Sequence, residues 1–148
     1  MPITGSKMVD KEIIENLCIS IRGYLKELMD AQDIEWKKFV KDNRSRRFVE
    51  RLLQITIEAM IDIGHQIISD EGFREPQSYR DVFKVLSENK ILPEDVLHQY
   101  ENIASFRNIL VHHYGKTDDS IVYGIFRNNL KDIEEYVGYV LSWVEKND

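Results

Sequence analysis

Apolar residues return every three or four positions along most of this chain, and there is no convincing run of alternating apolar and polar residues. A helical side chain turns about 100° per residue, so that spacing gathers apolar groups on one helix face, whereas a strand requires a period of two. The class is therefore all-α. Ile13, Ile14, Leu17, Ile21, Tyr24, Leu25 and Leu28 predict a helix over about residues 9–31, with residues 1–8 as a flexible extension. Residues 32–43, with Trp36, Phe39 and Val40, suit either a helical continuation or a short docked turn. Phe48, Leu52, Ile55, Ala59, Ile63 and Ile67 mark a central helix over about residues 44–69 that ends near Gly72.

Pro76 leads into Ser78-Tyr79-Arg80-Asp81, a capping-box-like start for a short helix carrying Val82, Phe83, Val85 and Leu86. Pro93 suits the first turn of a fourth helix, where the missing N–H has no intrahelical partner to lose. That helix carries Val96, Tyr100, Ile103 and Arg107, and Gly115 is placed to stop it. After a polar loop from Lys116 to Ser120, capped by Asp119 or Ser120, a last helix shows Val122, Phe126, Leu130, Ile133, Val137, Val140 and Val144. Four long amphipathic helices and one short one predict an antiparallel four-helix bundle with one additional short helix, a single domain over residues 1–148.

No apolar run approaches the roughly 20 residues a membrane helix needs, and the N-terminal Met1-Pro2-Ile3-Thr4-Gly5-Ser6-Lys7 lacks a signal peptide's apolar centre. With the single cysteine Cys18, a reducing cytoplasm is the expected setting and no membrane partner is expected. A formal charge of -6 opposes nonspecific coating of nucleic acid, which depends on neutralising phosphates. The charge is uneven, however. Lys37, Lys38, Lys41, Arg44, Arg46, Arg47 and Arg51 face only Asp42 and Glu50 within residues 37–51. That stretch suits either a solvated helix start with ion pairs or an anion-facing patch.

The four histidines His65, His98, His112 and His113 form no helical metal-ligand pair with a carboxylate or cysteine, so no metal or other cofactor is expected. Phosphate-cradling glycine loops and nucleophile elbows are absent too. The chemistry concentrates in Arg107-Asn108-Ile109-Leu110-Val111-His112-His113-Tyr114. Arg107 offers a planar cation for phosphate, His112 exchanges protons near neutral pH, Asn108 forms hydrogen bonds and Tyr114 supplies a hydroxyl. Attack of RNA's own 2′-hydroxyl on the adjacent phosphate needs a proton-transfer group and a stabilising cation.

The same residue types near a helix end also cap carbonyls and form ion pairs, so residue type alone leaves both readings open. On a straight helix Arg107 and Tyr114 lie within roughly 20° of each other, and His112 is about 140° from Arg107. Convergence therefore requires a helix break near Val111–His113 or a second chain.

The spacing of Arg107, His112 and Tyr114, with Asn108 after the arginine, resembles the signature of the HepT-like toxin family of the HEPN superfamily. Arg47-Phe48-Val49-Glu50-Arg51, Ser78-Tyr79-Arg80-Asp81-Val82-Phe83 and the Tyr114 to Tyr123 connection extend the likeness over about residues 10–145. The resemblance implies the toxin of a type II/VII-like toxin–antitoxin module, a metal-independent endoribonuclease in which Arg107 and His112 are catalytic and Asn108 is a supporting polar group. It further implies a homodimer that pairs two motifs in a cleft and an MntA-type minimal nucleotidyltransferase as antitoxin. That partner would use ATP to place AMP on Tyr114, so nucleotide enters only through the antitoxin reaction. The family spacing selects His112 over His113, which is expected to be variable or solvent-facing. Arg44, Arg46, Arg47 and Arg51 become candidates for contact with RNA or partner. The competing readings are a non-catalytic nucleotide-binding or regulatory subunit of a minimal nucleotidyltransferase, and a structural dimer whose Arg107 segment only packs.

Overall fold

The computed structural model describes residues 2–112 and 116–147, with side chains described over 10–112 and 118–147. Among the described residues there are seven α-helices and no strand. In chain order they are α1 (Pro2–Asp30), α2 (Trp36–Lys41), α3 (Asn43–Glu71), α4 (Tyr79–Glu88), α5 (Leu97–Val111), α6 (Lys116–Asn128) and α7 (Leu130–Lys146), with a 3-10 turn at Glu94–Val96 before α5. None is long and apolar enough to cross a membrane.

The centre is α3, which packs against α1, α2, α4, α5 and α6 and is therefore apolar around much of its circumference. Ile14, Cys18, Ile21, Leu25 and Leu28 of α1 cover one side of it. Burial raises the Cys18 thiol to about 11, which keeps it protonated and unreactive near neutral pH. Phe83, Tyr100 and Tyr136 meet between α4, α5 and α7, with ring centroids 5.5 to 6.0 Å apart. Their hydroxyls have partners: Tyr100 donates to the Asp132 carbonyl and Tyr136 to the Met60 carbonyl, each at 2.8 Å. A Cβ on Gly64 would stand 2.3 Å from Cγ1 of Val82, so glycine permits the close approach of α3 and α4. Gly72, at φ 66°, ends α3 in the left-handed region as expected.

Several boundaries differ from the sequence expectation, and one left open is decided. α1 starts at Pro2, so residues 2–8 are helical in place of the expected extension; proline is compatible with a first helical position. The undecided segment forms α2, and its buried Phe39 joins Trp36 and Tyr123 in an aromatic cluster that ties α2 to α6. Pro93 caps the 3-10 turn, and α5 begins four residues later. The expected loop from Lys116 to Ser120 is the first part of α6, where Asp118 and Asp119 suit the positive end of the helix dipole. The expected last helix is then broken at Asn129, whose side-chain amide donates to Asp132 at 3.0 Å. Such local bonding gives asparagine an alternative to a continuous helix. The two resulting helices share one apolar period, which is why they read as one. Ser78 caps α4 as expected, its hydroxyl oxygen accepting from the Asp81 N–H at 3.0 Å.

Candidate functional site

Tyr100, Ile103, Ala104 and Leu110 form the buried stripe of α5. Arg107 lies within about 20° of Tyr100 on the helical wheel, so it continues that stripe. A charge on a core-facing stripe requires compensation or water. Arg107 has both: its Nη2 is 3.4 Å from Glu58 Oε2, and its side chain remains 26% exposed. The guanidinium carbon also sits 5.1 Å from the centre of the Tyr79 ring. Glu58 on α3 and Tyr79 at the start of α4 therefore hold Arg107 at the edge of the core. With five N–H donors in the guanidinium fork, contact with one carboxylate oxygen leaves donors for a phosphate.

His112 caps α5 at φ −114° and ψ 43°, outside helical geometry, and its N–H donates to the Asn108 carbonyl at 2.9 Å. The helix thus breaks within the segment where convergence required it, earlier than Gly115. The His112 side chain is exposed, as is that of Asn108. Asn108 borders a cleft of about 490 Å³ whose wall includes His65, Tyr79, Arg80 and Ser105. Arg80 Nη1 donates to Ser105 Oγ at 2.7 Å, which fixes a second cation beside α5. Arg107 meets this wall through Tyr79, whereas His112 is not part of the cleft lining. Tyr114, His113 and Gly115 lie outside the described residues. Among the described residues, no group of three or more His, Cys, Asp or Glu side chains is placed to hold a metal ion.

The four candidate arginines at the start of α3 divide. Arg46 turns inward along the chain, donating from Nη1 to the Val40 carbonyl at 2.9 Å and from Nη2 to Asn43, and so fastens the α2–α3 junction. Arg44, Arg47 and Arg51 are exposed and fall within about 60° of one another on the wheel, on the stripe that also carries Glu58. Arg51 and Glu58 are two turns apart, about 10 Å along the axis. The junction is set by Asp42, which accepts from Ser45 Oγ at 2.7 Å and from the Arg44 N–H at 3.3 Å. The Ser45 hydrogen bond is the main cause that holds the Asp42 carboxyl below its ordinary range.

Glu58, Tyr79, Arg80 and His65 were not singled out from sequence as site residues. Tyr79 and Arg80 belong to a segment that carried the family resemblance. Glu58 had a weaker signal, its position two helical turns after Arg51, and only the packing of α3 on α5 gives it meaning.

Residues 21–140, which include every candidate site residue, match the family described as ribonuclease HepT-like. This chain belongs to the HepT-like ribonuclease family. It is 27% identical over 129 residues to the mRNA nuclease HepT of Shewanella oneidensis, covering 87% of this chain and 96% of that relative. It is also 27% identical over 144 residues to the tRNA nuclease HepT of Aphanizomenon flos-aquae, covering 95% and 98%. Its fold matches a solved structure of the tri-AMPylated Shewanella oneidensis HEPN toxin in complex with MNT antitoxin, with TM-score 0.79, 27% identity and coverage of 88% of this chain and 97% of that one. The Shewanella oneidensis HEPN toxin thus shares this chain's helical fold.

Proposed function

We propose that this chain is the toxin of a HepT–MntA-type module, a metal-independent endoribonuclease acting in the cytoplasm through Arg107 and His112. The observation that carries the reading is a guanidinium held at the core's edge by Glu58 and Tyr79, on the same helix that ends at an exposed histidine. In the proposed reaction the 2′-oxygen of RNA attacks the adjacent phosphorus. A P–O2′ bond forms, the P–O5′ bond breaks, and the 2′-hydroxyl proton passes to neutral His112. Arg107 stabilises the charge on the phosphoryl oxygens in the transition state, and Asn108 orients them by hydrogen bonding. The 5′-oxygen leaves as an alcohol after taking a proton from the imidazolium of the second copy in a homodimer. Attacking and leaving oxygens lie on opposite sides of phosphorus, so two histidines serve the step better than one. Products are a 2′,3′-cyclic phosphate and a 5′-hydroxyl end.

The related toxin solved with its MNT antitoxin is tri-AMPylated, which supports a minimal nucleotidyltransferase as this protein's partner. In that reaction the phenolic oxygen of Tyr114 bonds to the α-phosphorus of ATP and pyrophosphate leaves. The adenylate adds negative charge to the same motif that carries Arg107, which opposes the binding of substrate phosphate. Arg44, Arg47 and Arg51 offer an exposed basic stripe for RNA or for the antitoxin.

Purified protein incubated with RNA in chelator should cleave it, and His112→Ala should lower the rate by about 100-fold or more with an unchanged helical circular-dichroism spectrum. Equal cleavage by the alanine variant removes His112 from the mechanism. With the partner enzyme and ATP, mass spectrometry should find adenylate on Tyr114, and full modification of Tyr114→Phe excludes that site.

A further inference from the structure

Among the described residues, Lys90 is the non-glycine residue with positive φ, at 63°. It stands one position beyond the C-cap of α4. Its N–H donates to the Ser87 carbonyl at 3.0 Å and the Ile91 N–H donates to the Leu86 carbonyl at 2.9 Å, the two bonds of a Schellman turn. Glycine is usual at this position because a Cβ there adds strain on the order of 1 kcal/mol. The fold itself therefore gives no reason for lysine at residue 90.

Its surroundings do. Lys90 lines a cleft of about 690 Å³ between α4, the α4–α5 connection and α7. Lys84 borders it from α4, and Tyr139, Trp143 and Lys146 border it from α7 at helical spacings that put them on one face. None of the three lysines has an ion pair among the described residues. Of the carboxylates on the wall, Glu88 is bound by Arg74 at 2.8 Å and is also acted on by the charge of Lys84, so the wall carries three lysines against Glu88 and Glu94. Both aromatic side chains are half-buried, with surface left for a planar group.

We infer that this cleft binds a nucleotide, its base against Trp143 and Tyr139 and its phosphate among Lys84, Lys90 and Lys146. Base–aromatic stacking contributes about 1–3 kcal/mol, and lysine supplies the point charge that phosphate needs. The site is separate from the Arg107 end of α5: Leu97 borders it, and Arg107 lies ten residues farther, about 15 Å along the axis. α4 joins the two, because Arg80 lines the cleft beside Asn108 and Lys84, one turn later, lines this one. The nucleotide is either free or one unit of a bound RNA strand.

The test uses the whole chain carrying Trp36→Phe, so that Trp143 is the remaining tryptophan. AMP, ribose 5-phosphate and a 2′-O-methyl oligoribonucleotide, which lacks the attacking hydroxyl, are titrated against its fluorescence. The result is thereby independent of ribonuclease activity. Saturable change is expected with AMP or the oligonucleotide, with ribose 5-phosphate about tenfold weaker or worse for lack of a stacking base. Tighter binding of the oligonucleotide identifies an RNA unit, and equal or tighter binding of AMP identifies a free nucleotide. Lys90→Gly should hold or raise the melting temperature yet weaken binding about tenfold, and Lys84→Glu with Lys146→Glu should abolish it. No response to AMP or oligonucleotide, equal affinity for ribose 5-phosphate, or wild-type affinity in Lys90→Gly overturns the proposal.

Discussion

The two halves of α5 differ in what their inward face does. In the first half Tyr100, Ile103 and Ala104 are sealed in the core, and the Tyr100 hydroxyl closes onto the Asp132 carbonyl. In the second half the same stripe carries Arg107, held by Glu58 and Tyr79 and still reached by water, and the helix ends at His112 two turns after Ser105. One continuous helix thus anchors itself by apolar burial at one end and presents ionisable groups at the other. Rigid anchoring of the first half, with Leu110 buried beyond Arg107, gives the second half a defined position.

If that division holds, substitutions in the two halves should separate stability from chemistry. Tyr100→Ala should have the largest stability effect. It removes a fully buried ring and leaves the Asp132 carbonyl without its phenol, so a loss of about 3–5 kcal/mol is expected, read as a melting-temperature drop on the order of 10 °C. A drop of a degree or two would show that the first half is not the anchor. Glu58→Gln should act on the other half and more gently. It weakens a partly exposed ion pair, so cleavage should fall about two- to fivefold with the melting temperature nearly unchanged. Unfolding with loss of activity would instead make Glu58 a structural residue.

The smallest effect is a pH slope set at the C-terminal end of α3. Burial, and then hydrogen bonding with Asp10, raises the Asp70 carboxyl from 3.8 to about 6. Between those values the folded chain holds a proton that the unfolded chain releases. This contribution to stability is full below the unfolded value and is lost as pH rises through about 6. Asp70→Asn should flatten the slope of melting temperature from pH 4 to 7 without altering RNA cleavage. An unchanged slope would mean that Asp70 titrates normally, and altered cleavage would tie this end of α3 to the site.

The all-α class, the central helix, the Ser78 cap and the placement of Arg107 and Asn108 on one helix that leads to His112 were legible because periodicity and capping are local. The break at Asn129 was not. Val122, Phe126, Ile133 and Val137 keep one apolar phase across it, and a single non-helical residue leaves no mark on a period. Likewise Gly115 suggested where α5 stops, whereas the backbone leaves helical geometry at His112. The basic stretch was read as a unit, but side-chain direction separates Arg46 from Arg44, Arg47 and Arg51. Glu58 is 49 positions from Arg107, and no periodicity within α3 announces a partner on another helix. Local patterns located the chemistry, and tertiary packing supplied the groups that hold it.

The most direct test of the division within α5 is to measure RNA cleavage in chelator and thermal unfolding on the same preparation of Arg107→Ala. The account predicts cleavage reduced by about 100-fold or more, with the melting temperature within about 4 °C of wild type, because the lost ion pair is partly exposed. Retained cleavage, or a melting temperature that falls as far as that of Tyr100→Ala, would contradict it.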